Sequence, residues 1–287
     1  MNKYLITLSL FLIFHLTWCQ SGKVLDDLSL PSKVLKMDRK YAIYLPPDYD
    51  SSQRSYPVLY LLHGATDDHT GWVQFGEVLH ITDKAIRDGI ATPMIIVMPD
   101  ADTKQMGYYN LPDGSWNYED FFFDEFMPYI ESTYRIKQQK RYRAVAGLSM
   151  GGGGSFTYAL HRPDLFQSAC PLSALTDPAD LEDAKQFFEW YNIKEPKEEG
   201  LTKFHQQYGV VWQMENLPID DLKSVRWFID CGDDDFLYEG NAKVHIAMRQ
   251  REIPHEFRIR DGGHTWTYWR KSLPEVLKFV SQGFHQY

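Results

Sequence analysis

Cysteine is scarce in this chain: Cys19, Cys170 and Cys231 are the three among 287 residues. Cys170 and Cys231 each lie inside an apolar run, so a disulfide framework is not indicated and two buried free thiols are expected. Neither belongs to a metal-ligand spacing, and no metal is expected. Concentrated positive charge is also missing. The formal net charge is -9, and the longest basic cluster, KQQKRYR from Lys137 to Arg143, is short. Nucleic-acid phosphates demand a continuous basic face, so no nucleic-acid partner is expected and the cluster reads as a solvated loop. Long apolar runs are lacking as well: the run from Tyr4 to Leu16 has 13 residues, where a membrane-spanning helix needs about 20. No stable membrane span follows from it. Internal repeats and low-complexity linkers are absent, which sets aside solenoids and disordered tethers.

Apolar and aromatic surface is what the chain has in quantity. It is 44% hydrophobic and 24% charged over 287 residues, enough to bury a large core. Eighteen Tyr, 17 Phe and 8 Trp suit core packing and equally a cleft for sugars or aromatic rings. The N-terminus has a pattern of its own: Lys3, the apolar run, small Thr17 and Cys19, then polar QSGK from Gln20 to Lys23. This is the form of a secretory signal cleaved between Cys19 and Gln20. Residues 1–19 are therefore expected to be removed and residues 20–287 to form one domain, secreted or periplasmic. Lipidation of Cys19 is the alternative, against which stands the bulk of Trp18 where such signals carry a small residue.

Strand-like runs recur along the chain, at Lys40 to Pro46, Tyr56 to Gly64, Met94 to Asp100, Tyr142 to Gly147, Phe166 to Ala174 and Val225 to Gly232. Several are apolar throughout, as strands covered on both faces are. Helical patterns separate them: Asn117 to Arg135, with Phe121, Phe122, Met127 and Ile130 on one face, the residues after Met150, those around Asn241 to Gln250, and Ser272 to Phe284. Such alternation predicts an α/β fold with a mostly parallel sheet and helices on both sides. Between two strands, Thr176 to Leu222 is rich in Asp, Glu, Lys and aromatics and reads as a helical insertion over the sheet edge, either structural or a lid on a cleft.

Gly147-Leu148-Ser149-Met150-Gly151 matches G-x-S-x-G, with a strand before it and a helix after it. The turn lifts the serine out of the sheet, which crowds the residues two before and two after it and asks for glycine at both. Gly152 to Gly154 exceed what the turn requires, and close helix packing is their expected purpose. A serine hydroxyl needs a base, and the base needs a carboxylate to hold its tautomer. On this fold the order is serine, acid, histidine, each following a strand. VRWFIDCGDDDF ends in Asp233, Asp234 and Asp235, among which spacing does not choose; a solvated turn or a weak cation site is their other reading. His264 follows 29 residues after Asp235 in a Gly-flanked loop. His63, His69, His161 and His205 could also reach a cleft, but only His264 combines a late position, glycine neighbours and a preceding strand. For a developing oxyanion, the N–H of Met150 opens a helix, and the N–H of Ala65 lies in the loop LLHGATDDHTGW after an early strand.

With these pieces in order, the chain resembles the esterase D-like branch of the α/β-hydrolases, which holds carbohydrate esterase family 1, feruloyl and acetylxylan esterases, S-formylglutathione hydrolases and tributyrin esterases. The residues that carry the resemblance are YLLHG with a Gly-Trp pair downstream, GLSMGG, CGDDDFLYEGN and GGHTWTYW. The resemblance implies an α/β-hydrolase fold and an ester hydrolase without a cofactor. Its C-G-x-x-D-F-L pattern maps the acid onto Asp235, its G-x-S-M-G form maps the nucleophile onto Ser149, and its histidine loop maps the base onto His264. Residues 176–222 follow no pattern of the family.

The expected partner is an ester substrate, a small molecule or a polysaccharide. An exported chain points away from a cytosolic thiol ester such as S-formylglutathione, and the resemblance favours feruloyl or acetyl groups on plant cell-wall polysaccharide. Trp72, Trp116, Trp266 and Trp269 are the candidate stacking surfaces for sugar or phenolic rings, with core packing as their other reading. An acyltransferase of the mycolyltransferase type is the alternative from another class.

Overall fold

The computed structural model describes residues 21–101, 107–190, 194 and 197–285. The expected signal segment, residues 1–19 with Cys19, lies outside the described residues. Eight strands form one sheet: β1 Lys23–Ser32, β2 Met37–Leu45, β3 Val58–Leu62, β4 Ile95–Pro99, β5 Arg143–Leu148, β6 Ser168–Leu172, β7 Arg226–Gly232 and β8 His255–Arg260. Their spatial order is β1-β2-β4-β3-β5-β6-β7-β8. The β1–β2 and β2–β4 pairs are antiparallel, and every pair from β4 to β8 is parallel. The expected α/β class is thus the observed one.

The apolar runs are explained by two cores. In β3, Val58, Tyr60 and Leu62 pack into a cluster with Phe122, Phe156 and Val244, while Leu59 and Leu61 pack into another with Trp72, Val78 and Leu273. Alternate side chains point to opposite faces of a strand, so a strand covered on both faces must be apolar at every position. Helices Met150–His161 and Tyr238–Gln250 and the helical segment 118–133 cover one face; helices Val78–Arg87 and Trp266–His285 cover the other. Within 118–133 the residues Phe121–Phe126 form a π-helix, whose wider turn buries Phe121, Phe122 and Phe126 together.

Three features differ from expectation or were not read. β1 carries polar residues at successive positions, and its register with β2 shifts between Leu25 and Leu28, so the irregularity that takes in Asp26 and Asp27 destroys the period of two. Helix Val78–Arg87 likewise stands outside the elements that the sequence predicts. The insertion over residues 176–222 is helical, with helices Leu181–Trp190, Glu198–Tyr208, Val210–Asn216 and Ile219–Lys223. It does not lie at the sheet edge, because β6 and β7, which it joins, are inner strands. It packs instead on helices Met150–His161 and Tyr238–Gln250, and Ala184, Phe188, Leu201, Phe204 and Tyr208 form a small core of its own with Tyr109.

Cys170 and Cys231 are buried free thiols. Burial pushes both up, Cys231 to about 12, so neither is a thiolate near neutral pH. No helix among the described residues is long and apolar enough to cross a membrane.

Candidate active site

The C-terminal ends of parallel strands are where an open α/β sheet offers a crevice, because the connecting loops diverge there. β5 ends at Leu148, and Ser149 follows with φ 55° and ψ -118° before helix Met150–His161 begins. A non-glycine residue held at positive φ costs on the order of 1–3 kcal/mol and needs its surroundings to impose it. Three backbone hydrogen bonds do so: Ser149 N–H donates to Leu172 O (2.9 Å), and Ser149 O accepts from Gly153 N–H and Leu175 N–H (3.0 Å each). A Cβ on Gly147 would fall 2.4 Å from Gly151 O, and one on Gly151 2.5 Å from His63 O. Gly152, Gly153 and Gly154 meet Ala174, Leu175 and Tyr108 at 2.5–2.8 Å in the same sense, which gives these three glycines a packing role.

The loop after β8 brings His264 to this serine, with Nε2 2.9 Å from Ser149 Oγ. Its Nδ1 lies 3.0 and 2.9 Å from the two carboxylate oxygens of Asp235. A carboxylate can only accept, so Nδ1 carries the proton and Nε2 is left free to accept one from the serine. Asp235, three residues past the end of β7, is 1% exposed. Burial by itself raises its carboxyl; the bonds from His264 and from Leu237 N–H (2.9 Å) outweigh this and hold it below the ordinary carboxylate range. Asp233 and Asp234 face solvent, where their carboxylates gather with that of Asp261 and Asp233 accepts the Gly262 N–H (3.0 Å).

The loop carrying Ala65 runs against the serine, since a Cβ on Gly64 would lie 3.4 Å from Ser149 Cβ. His63 accepts the Ala101 N–H on Nε2 (2.9 Å), which leaves Nδ1–H to donate to Gly64 O (2.8 Å). Holding the Gly64 carbonyl fixes the plane of the Gly64–Ala65 peptide, and with it the direction of the Ala65 N–H. Met150 N–H heads a 12-residue helix, where the dipole favours negative charge. Among the described residues, no protein acceptor takes either N–H. The other histidines are engaged elsewhere: His69 with Asp26 O, His161 with Glu119 and Gln207 O, His205 with Ala179 O.

Three of the four tryptophans are core residues and not open stacking surfaces. Trp72, Trp116 and Trp269 are 0%, 2% and 5% exposed. A buried indole N–H needs an acceptor, and theirs are Leu62 O (3.0 Å), Gly107 O (2.8 Å) and Ser173 Oγ (3.0 Å). Trp266 alone is half-buried, edge-on to both Trp72 and Trp269. Trp269 in turn stands edge-on to the His264 ring at 4.9 Å. On that same imidazole, at 4.5 Å, rests Phe236, which is 74% exposed and which sequence reading passed over as part of the acid motif.

A strained serine turn after β5, a buried aspartate after β7 and a histidine after β8, in that chain order, define an α/β-hydrolase. The chain belongs to the Esterase family, whose profile matches residues 32–280. It is similar to an esterase of Mycobacterium tuberculosis, 31% identical over a 252-residue alignment that covers 78% of this chain and 52% of that protein. It is also similar to an endo-1,4-beta-xylanase/feruloyl esterase of Xylanibacter ruminicola, 36% identical over 151 residues covering 50% of this chain and 20% of that one. The chain thus spans about half the length, or less, of these curated relatives. Among solved structures, a ferulic acid esterase superposes with a TM-score of 0.81 at 38% identity, covering 92% of this chain and 99% of the other. The S-formylglutathione hydrolase of Staphylococcus aureus shares the fold, with a TM-score of 0.70 at 20% identity, covering 91% and 99%.

Proposed function

We propose that this chain is a serine esterase that hydrolyses carboxylic esters, feruloyl or acetyl groups on plant cell-wall polysaccharide being its substrates. The observation that carries this reading is the unbroken chain of hydrogen bonds from Asp235 through His264 to Ser149 Oγ, at 2.9–3.0 Å. Ser149 Oγ attacks the ester carbonyl while His264 Nε2 takes its proton, and Asp235 stabilises the imidazolium that forms. The oxygen that becomes negative receives the N–H groups of Ala65 and Met150. His264 then gives the proton to the departing alcohol, leaving an acyl-serine. A water molecule repeats the sequence in reverse and releases the acid. Every step moves a proton or an acyl group, and no cofactor enters.

The acyl preference is supported by the likeness to a ferulic acid esterase over nearly the whole of both chains. A panel of methyl ferulate, acetylated xylan and short p-nitrophenyl esters tests it. Hydrolysis of the p-nitrophenyl esters alone, with neither methyl ferulate nor acetylated xylan turned over, would overturn the cell-wall reading.

Because His264 protonates the leaving oxygen, the alcohol side of the substrate must lie beside its ring, where Phe236 is exposed. A sugar leaving group reaches that ring and methanol does not. Stacking of this kind contributes roughly 0.5–1.5 kcal/mol. The expected result for Phe236→Ala is thus a KM three- to tenfold higher, roughly, on a feruloylated arabinose oligosaccharide, with methyl ferulate unchanged. Equal losses on both substrates would count against the platform.

Export is part of the same reading. Edman sequencing of the protein recovered outside the cytoplasm is expected to begin at Gln20, and a blocked, lipid-labelled N-terminus at Cys19 would replace that expectation with an anchored form.

A further inference from the structure

β7 runs Trp227-Phe228-Ile229-Asp230-Cys231 in its buried interior, and Asp230 is the charged residue within that run. Side chains alternate along a strand, so Asp230 points with Phe228 to the face that helix Trp266–His285 covers, where Tyr268, Trp269 and Leu273 pack. Asp230 is fully buried. A carboxylate taken out of water needs partners, and each of its oxygens has one. Tyr268 O–H donates to Oδ1 and Arg260 Nη2 to Oδ2. Arg260 Nη2 also donates to Ser272 Oγ (2.7 Å), and its guanidinium lies 5.1 Å from the centre of the Tyr268 ring.

Where these partners sit in the chain gives the network its direction. Arg260 is the last residue of β8 and Tyr268 lies in the first turn of the next helix, so they are the two stems of the loop 261–265 that carries His264. Asp230 holds both. The Tyr268 ring also lies against that loop, since a Cβ on Gly262 would fall 2.7 Å from it. Asp235, the acid, follows just past the end of the strand that carries Asp230, and the segment between is tied to the loop by Asp233 N–H to Arg260 O and Asp234 N–H to Gly262 O, at 3.1 Å each. Stability alone is a weak reason for such a group: a buried ion pair roughly breaks even against apolar side chains of similar volume, whereas its donors and acceptors impose one arrangement. We propose that Asp230 is a positioning residue of the active site, its carboxylate fastening Arg260 and Tyr268, the two stems of the His264 loop, to the strand that carries Asp235, so that base and acid stay in register. Asp230 contacts no reacting atom; it acts through its two partners on His264.

This inference rests on the serine-esterase reading, and its test separates the two. Tyr268→Phe removes one hydroxyl and keeps both the ring and the Asp230–Arg260 pair, while Asp230→Asn keeps the shape and takes the charged acceptor from both stems. The expected kcat on methyl ferulate falls roughly three- to tenfold in the first and ten- to a hundredfold in the second, with KM within about a factor of two, because a displacement of about 1 Å between base and nucleophile suffices for such losses. The double variant is expected to lose about as much as Asp230→Asn alone, since both changes break one unit. A second readout needs no substrate. The proton on His264 Nδ1, identified by its absence from His264→Gln, resonates far downfield in the NMR spectrum while the Asp235 carboxylate shares it. In both variants it is expected to move upfield or broaden at temperatures where circular dichroism still matches the parent. A lower melting temperature with parent-like kcat and an unmoved resonance would mark a pair kept for stability and overturn the role of Asp230, as would a loss of kcat with the resonance in place. If Asp230→Asn does not fold, Tyr268→Phe decides by the same two measurements. Failure of the parent on every ester would strike the esterase reading instead, and the resonance would still report on Asp230.

Discussion

Replacing Ser149 by alanine is expected to lower kcat/KM on p-nitrophenyl acetate by about three to six orders of magnitude, with the melting temperature close to that of the parent. The size follows from the proposed mechanism: there Oγ forms the covalent bond to the acyl carbon, and neither His264 nor the oxyanion donors can substitute for it. What remains is the rate that Ala65 and Met150 N–H groups lend to attack by water. Stability is expected to be nearly unchanged, because the positive φ at position 149 is imposed by backbone bonds to Leu172, Gly153 and Leu175, and these do not involve the side chain. Retention of a tenth or more of the parent rate by the folded variant would sink the mechanism.

Exchanging Asp235 for asparagine should cost about four orders of magnitude in kcat, whereas the same change at Asp233 or Asp234 should leave activity within about a factor of two. In the parent, one carboxylate oxygen of Asp235 accepts the Leu237 N–H and both face His264 Nδ1. An amide has one oxygen, and Leu237 competes for it. The NH2 group then faces Nδ1, forces that nitrogen to accept, and moves the imidazole proton to Nε2, where it opposes the serine hydroxyl. Asp233 and Asp234 have no part in this, being turned to solvent. A second readout concerns stability. The Asp235 carboxyl is held below its ordinary range in the folded chain, so its contribution is complete above the unfolded value of about 4 and fades as pH falls through the lower, folded value. Below about pH 4 the gap in melting temperature between parent and Asp235→Asn should therefore narrow. Similar losses of activity at all three aspartates would show the assignment of the acid to be wrong.

The two outcomes differ in how far the sequence foresaw them. The serine turn was legible because its requirements are local: Gly147 and Gly151 are needed by atoms within five residues of chain, and the strand and helix that frame them have their own periods. The parallel sheet was legible for the same reason, since a strand covered on both faces must be apolar at successive positions. β1 escaped notice because a bulge disrupts the only short-range signal a half-exposed edge strand has.

Other features depended on residues far apart in the chain. His264 reaches Ser149 across 115 positions and Asp235 across 29. Three adjacent aspartates are chemically equal in sequence, and the resemblance, not their spacing, singled out Asp235; in the fold it alone is buried. Four tryptophans were equal too, until packing covered Trp72, Trp116 and Trp269 and left only Trp266 half-buried, while Phe236 emerged beside His264.

By itself, then, the amino-acid order determined most of the elements, the mostly parallel arrangement of the strands and the strained serine turn, because sterics and hydrophobic period act over a few residues. Only the tertiary structure decided which carboxylate pairs with the histidine and which aromatic side chains remain exposed. Burial and hydrogen-bond partnership are made by distant segments meeting at the ends of β5, β6, β7 and β8, and no short window of sequence contains them.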